Sequence, residues 1–123
     1  MNAGVVAADD DPDILLLVSI AVRKAGLELR ATASDGDAAL AAIREHRPAL
    51  AILDNSMPGL TGLEVCRAVR EDPAMTGIRM IMLSASVDER AQEVAADAGF
   101  DHFRSKPFSP REFADFLSLE VAR

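Results

Sequence analysis

A chain of 123 residues, half of them hydrophobic, holds one compact domain whose core needs no metal or disulfide staple. A net charge of -7 and the lack of Trp and Tyr argue against a surface that neutralises nucleic-acid phosphates or stacks bases, so direct nucleic-acid contact is not expected. The single cysteine, Cys66, rules out an internal disulfide and suits a reducing compartment. No basic leader precedes an apolar run, and no apolar stretch approaches the ~20 residues of a membrane span. The expected setting is therefore the cytoplasm, without membrane insertion.

Short β-type runs alternate with helical periods, five of each. The first strand is predicted over 4–8 (GVVAA) and ends at Asp9, Asp10 and Asp11. Asp11-Pro12 then opens a helix over 12–25, with a capping side chain ahead of a first-turn proline, and Gly26 stops it. In this helix Ile14, Leu17, Val18 and Ala21 are expected to cover the sheet. Leu15 and Leu16 exceed that stripe and are expected to point partly outward, as a candidate docking patch.

A second strand over 28–33 carries Glu28 and Arg30 on alternate positions, as an edge strand does, and a helix over 35–46 follows. The third strand, 49–53, is continuously apolar and leads to Asp54; the next helix, 61–71, places Cys66 with Leu63 and Val69 as a buried thiol. A strand over 79–84 uses Met80 and Met82 as core residues and ends at Ser84. Ser86 and Glu89 match a capping box for a helix over 87–98, which Gly99 stops. The fifth strand, 100–103, is short and holds Asp101 and His102, and it leads to Lys106-Pro107. Ser109-Pro110, with Glu112, opens the last helix over 109–121. His46 and His102 lack partners at ligand or triad spacing and are assigned to the surface.

Five βα units predict an α/β, doubly wound, five-stranded parallel sheet with helices on both faces. The apolar first, third and fourth strands belong inside and the polar second and fifth at edges, so right-handed crossovers favour the order 2-1-3-4-5. Nothing follows the last helix, so residues 1–123 are expected to form a single domain with no output domain.

In such a sheet, polar groups at the carboxyl ends of the strands converge on one crevice, between the first and third strands. Those ends carry Asp9 and Asp10, Asp54, Ser84 and, a few residues past the fifth strand, Lys106. Carboxylates crowded together repel by roughly 4 kcal/mol per pair at ~4 Å and an effective dielectric of ~20. A divalent cation relieves that conflict, and hard oxygen donors suit Mg²⁺ better than zinc. An oxygen nucleophile, a metal, a lysine and a hydroxyl are the parts that phosphoryl transfer asks of a protein.

At VVAADDDPDI, LDNSMPGLTGLEV, MIMLSAS and GFDHFRSKPF, in that order and spacing, the chain resembles the response-regulator receiver domains, the CheY-like family of two-component signalling. The resemblance implies the same flavodoxin-like strand order, 2-1-3-4-5. The resemblance implies that Asp54 accepts the phosphoryl group. It implies that Asp9, Asp10 and Asp54, with the main-chain carbonyl of Ser56, hold Mg²⁺, for which Mn²⁺ could substitute. Lys106 would be the family's lysine and Ser84 its switch hydroxyl. Phe103 falls at the aromatic switch position but lacks the hydroxyl of the common Tyr. Ser56 and Ser86 fall where residues tune phosphoryl lifetime, and a cis Lys106-Pro107 peptide is expected.

The implied protein is a switch, not an enzyme, with intrinsic metal-assisted self-phosphorylation and dephosphorylation. It would take phosphate from a sensor histidine kinase or phosphotransfer protein. It would answer to a downstream effector through the face of helix four, strand five and helix five. The patch at Leu15 and Leu16 would receive the helix pair of the phosphate donor. Two alternatives stand beside this: a phosphorylation-independent interaction module, and a small phosphatase using Asp9-x-Asp11.

Overall fold

The computed structural model describes residues 3–86, 88–106 and 108–122. The chain alternates β1 (Gly4–Ala8), α1 (Pro12–Lys24), β2 (Glu28–Ala33), α2 (Gly36–His46), β3 (Leu50–Asp54), α3 (Gly62–Glu71), β4 (Arg79–Ser84), α4 (Glu89–Ala98), β5 (His102–Ser105) and α5 (Pro110–Ala122). A single 3-10 turn, Pro73–Met75, lies before β4 and was not foreseen. All strand pairs are parallel and the order is β2-β1-β3-β4-β5, as expected.

The twofold alternation of side chains along the inner strands divides the core in two. Val5, Ala7, Leu50, Ile52, Ile81 and Leu83 meet Val18, Ala21 and Val22 of α1 and Phe113 and Leu117 of α5. On the other face Val6, Ala8, Ala51, Leu53, Met80 and Met82 meet Ile43, Val65, Cys66, Val69 and Ala95 of α2, α3 and α4. Cys66 is fully buried, as predicted, and Met80 and Met82 are core residues. Continuous burial of β1 and β3, against the alternation of β2, gives the central and edge roles inferred from composition.

Helix ends explain most boundaries. Both α1 and α4 close on a left-handed glycine, Gly26 (φ 76) and Gly99 (φ 111). After each, the next N–H reaches back to a carbonyl of the helix, Leu27 to Val22 at 3.1 Å and Phe100 to Ala95 at 3.1 Å.

This closure corrects the fifth strand. Phe100 and Asp101 belong to the connection, where Asp101 Oδ2 accepts from Met80 N at 2.8 Å, so β5 runs over 102–105 rather than 100–103. Ser86 is not the cap of α4. The carboxylate of Asp88 takes that place, accepting from Ala91 N at 2.7 Å, while Ser86 Oγ donates to Asp88 Oδ2 at 3.0 Å. Ser109 does cap α5, accepting from Glu112 N at 3.4 Å.

A complete capping box occurs instead at α3, between Thr61 and Glu64. The motif Thr-x-x-Glu was readable there and was missed.

Two expectations about single side chains also change. Leu15 is half-buried and packs on the α1/α5 side of the core, so only Leu16, 61% exposed, points outward. His102 does have a partner: its Nε2 lies 2.6 Å from Oε1 of Glu120, a buried carboxylate that Arg79 also approaches at 3.4 Å. These residues are 18 and 41 positions apart, beyond any spacing argument. His46 stands at the surface beside Glu45, as assigned.

Candidate functional site

Five side chains singled out in the sequence, those of Asp9, Asp10, Asp54, Ser84 and Lys106, line one cleft of about 380 Å³ with Ser56 and Ser86. The sheet places them. Asp9 directly follows β1, where its N–H donates to Ala33 O on β2 at 3.1 Å, and Asp54 is the last residue of β3. Lys106 follows β5 and is tied to β4 by its N–H, which donates to Ser84 O at 2.8 Å.

Asp9 and Asp54 are buried, with 1% and 5% exposure, while Asp10 is exposed. Carboxylate oxygens of all three lie within 4.8 Å of one another, the one such acidic group among the described residues. Lys106 Nζ donates to Asp9 Oδ2 at 2.7 Å and lies 3.2 Å from Asp54 Oδ1, so one ammonium bridges two buried carboxylates.

Burial pushes the Asp9 carboxyl above its ordinary range, and this outweighs the opposing hydrogen bonds from Lys106 and from Asp11 N. Burial acts on Lys106 in the lowering direction, but its bonds to Asp9 and Asp54 together hold it above the usual lysine value. The lysine is therefore held as a cation at the point where negative charge is concentrated.

Three carboxylates, one reachable from solvent, form an all-oxygen donor set that fits a hard divalent cation with room for exchangeable ligands. Asp11 stands apart from this set. Its Oδ1 accepts from Asp13 N at 2.9 Å as the cap of α1. Ser84 Oγ accepts from Ser86 N at 3.1 Å, at the rim of the cleft.

Phe103 is half-buried against the core and does not line the acidic cleft. It lines an adjoining one of about 390 Å³, which shares Ser56, Ser84 and Ser86 with the first. The expected cis Lys106-Pro107 peptide lies outside the described residues.

Sequence reasoning missed two neighbours of Asp54, Gly62 and Asn55. Gly62 packs under the strand end, where a Cβ would sit 2.6 Å from Asp54 O. Asn55 bonds back to the start of α3. The only hint was the turn-rich run NSMPGLTG.

The sequence pattern of the response regulator receiver domain matches residues 5–118, which take in all of the sheet but Gly4 and most of α5. The chain belongs to that family. It is 37% identical over 123 residues to the DNA-binding response regulator MtrA of Mycolicibacterium smegmatis, covering 100% of this chain and 52% of that protein. It is 36% identical over 112 residues to the alkaline phosphatase synthesis transcriptional regulatory protein PhoP of Bacillus subtilis, covering 91% of this chain and 45% of that one.

The receiver domain thus spans about half the length of the curated relatives it matches. Its backbone superposes on a response regulator from Chloroflexus aurantiacus with a TM-score of 0.91 at 30% identity, over 100% of both chains. The chemotaxis response regulator CheY4 of Vibrio cholerae matches with a TM-score of 0.89 at 30% identity, over 98% of this chain and 99% of that one. A receiver domain is a signalling module of two-component systems, and the Asp-x-Asp phosphatase reading falls with this assignment.

Proposed function

We propose that this receiver domain is a switch that accepts a phosphoryl group on Asp54 from a histidine kinase or a histidine phosphotransfer protein in the cytoplasm. The observation that supports this reading most directly is Lys106 Nζ within 2.7 Å of Asp9 and 3.2 Å of Asp54, beside a third carboxylate. Asp9, Asp10 and Asp54, with the Ser56 carbonyl, would hold Mg²⁺ or Mn²⁺, which when bound neutralises charge on the transferring oxygens.

The chain's own part is positional. An Asp54 carboxylate oxygen attacks phosphorus, an O–P bond forms as the donor's N–P bond breaks, and the departing imidazole nitrogen keeps that electron pair and takes a proton from water. Lys106 offers its ammonium to a phosphoryl oxygen in place of Asp54 Oδ1. Ser84 offers its hydroxyl to another. Small phosphodonors and water enter by the same exposed side, giving slow self-phosphorylation and hydrolysis.

Phosphorylation replaces the single charge of the Asp54 carboxylate with nearly two on the phosphoryl oxygens, and pulling Ser84 toward them alters the neighbouring cleft that Phe103 lines. The face of α4, β5 and α5 then shifts between two populations, one of which a downstream effector binds. Phe103 contributes packing to this change but no hydrogen bond.

Acetyl phosphate with Mg²⁺ should label the native protein at Asp54, as read by mass spectrometry, and should leave Asp54→Asn unlabelled. Beryllofluoride should shift the backbone signals of α4 and β5. A phosphorylation-independent interaction module would show neither response.

A further inference from the structure

Two hydrogen-bonding groups of one residue join the carboxyl end of β3 to the start of α3. Asn55 Oδ1 accepts from Leu63 N at 3.2 Å, and Asn55 O accepts from Gly62 N at 3.3 Å. Thr61 Oγ accepts from Glu64 N at 3.2 Å. Three successive donors at the head of α3, which have no partner within the helix, are satisfied in this way, two of them by Asn55.

The same Asn55 carbonyl accepts from Met57 N at 3.1 Å, closing a tight turn around Ser56. Met57 is buried and anchors the far side of that turn in the core. Asn55 is thus bonded both to the turn that contains Ser56 and to the helix beyond it. Its side chain adds a second link, across eight positions to Leu63 N, that a residue without a side-chain acceptor would lack.

We infer that Asn55 is a positioning residue for the divalent cation. Through its bond to α3 it fixes the turn that offers the Ser56 carbonyl, without itself touching the ion. The inference rests on the metal site proposed above. Groups that orient a metal ligand from behind contribute to its affinity, and their loss costs about 10-fold or more in binding.

With no Trp or Tyr to report binding by fluorescence, Mn²⁺ serves as the probe, its free concentration read by electron paramagnetic resonance during titration of the full chain. Asn55→Ala should raise the Kd for Mn²⁺ about 10-fold, and Asn55→Asp, which keeps the acceptor oxygen, should bind at least as tightly as the native protein. Thr61→Ala removes the neighbouring cap of the same helix without touching Asn55. It should lower the ion-free Tm but leave the Kd within about twofold. If Asn55→Ala fails to fold, Asn55→Leu, of similar size but lacking the acceptor, takes its place.

A change below about threefold in the truncated variant, an equal loss in Thr61→Ala, or a loss in Asn55→Asp would overturn the assignment. A native protein that binds no Mn²⁺ would instead remove the metal site itself, and this inference with it.

Discussion

A Cβ placed on Gly62 would lie 2.6 Å from the carbonyl oxygen of Asp54 and 3.1 Å from Cα of Asn55. Both obstacles are backbone, so neither can rotate aside. Gly62→Ala should therefore push the end of β3 away from α3, costing about 1–3 kcal/mol in urea denaturation, as overpacking does. Labelling by acetyl phosphate should also slow. A variant of native stability and native labelling rate would show that the helix start yields instead.

Thr61 and Glu64 form the complete box at the same helix, with Glu64 Oε1 accepting from Thr61 N at 3.0 Å. Thr61→Ala should cost about 1 kcal/mol, the usual value of an N-cap hydroxyl, measured as a shift of the urea midpoint at unchanged slope.

What could be read from the sequence and what could not divides by distance along the chain. Sheet order, the central role of β3 and the convergence of Asp9, Asp54 and Lys106 follow from periodicity, strand ends and motif order, all local or fold-wide signals. The pairing of His102 with Glu120 does not, since it depends on how α5 lies over β5. Arg47, which ends α2 in the left-handed region at φ 42, is invisible for a different reason: glycine or asparagine is the expected residue there, yet an arginine holds it, its N–H donating to Ile43 O at 2.8 Å. Asp88 displaced Ser86 as cap because both residue types are good acceptors, and only the path of the loop decides between them. Asn55 was hidden in the same way, its partner lying across a turn.

Cys66 offers a pH-dependent test. Burial pushes its thiol up from 9.0 to about 11, so the folded protein keeps a proton that the unfolded chain gives up. Stability from this group is fully present below about pH 9 and is lost as pH rises toward about 11, by an amount of order 1–3 kcal/mol. Comparing urea midpoints of the native protein and Cys66→Ala at about pH 8 and about pH 10.5 should show a steeper decline in the native protein. Alkylation of the folded chain at the lower pH should also be slow, becoming fast only in denaturant.

Lys106 sits 16% exposed between two buried carboxylates. Lys106→Met removes their shared partner and, without divalent cations, should lower stability by up to about 3–5 kcal/mol, with proton uptake by Asp9 limiting the loss. Added Mg²⁺ should then raise the Tm of the variant by more than it raises that of the native protein, because the cation no longer meets a competing ammonium. Equal Mg²⁺ increments in the two proteins would mean that Lys106 and the cation do not share these carboxylates.

The leucine run of α1 separates packing from docking, since Leu16 is 61% exposed and Leu15 lies half-buried against the core. Leu16→Ser should change stability by less than about 0.5 kcal/mol, as surface substitutions do, whereas Leu15→Ser should cost on the order of 1–2 kcal/mol for the apolar area it returns to water. With the fold intact, Leu16→Ser isolates the surface. If the phosphate donor docks there, transfer from a phosphorylated histidine protein slows while labelling by acetyl phosphate, which needs no helix contact, keeps its native rate. Parallel slowing of both would place the defect in the acidic cleft, and no slowing of either would remove Leu16 from the docking surface.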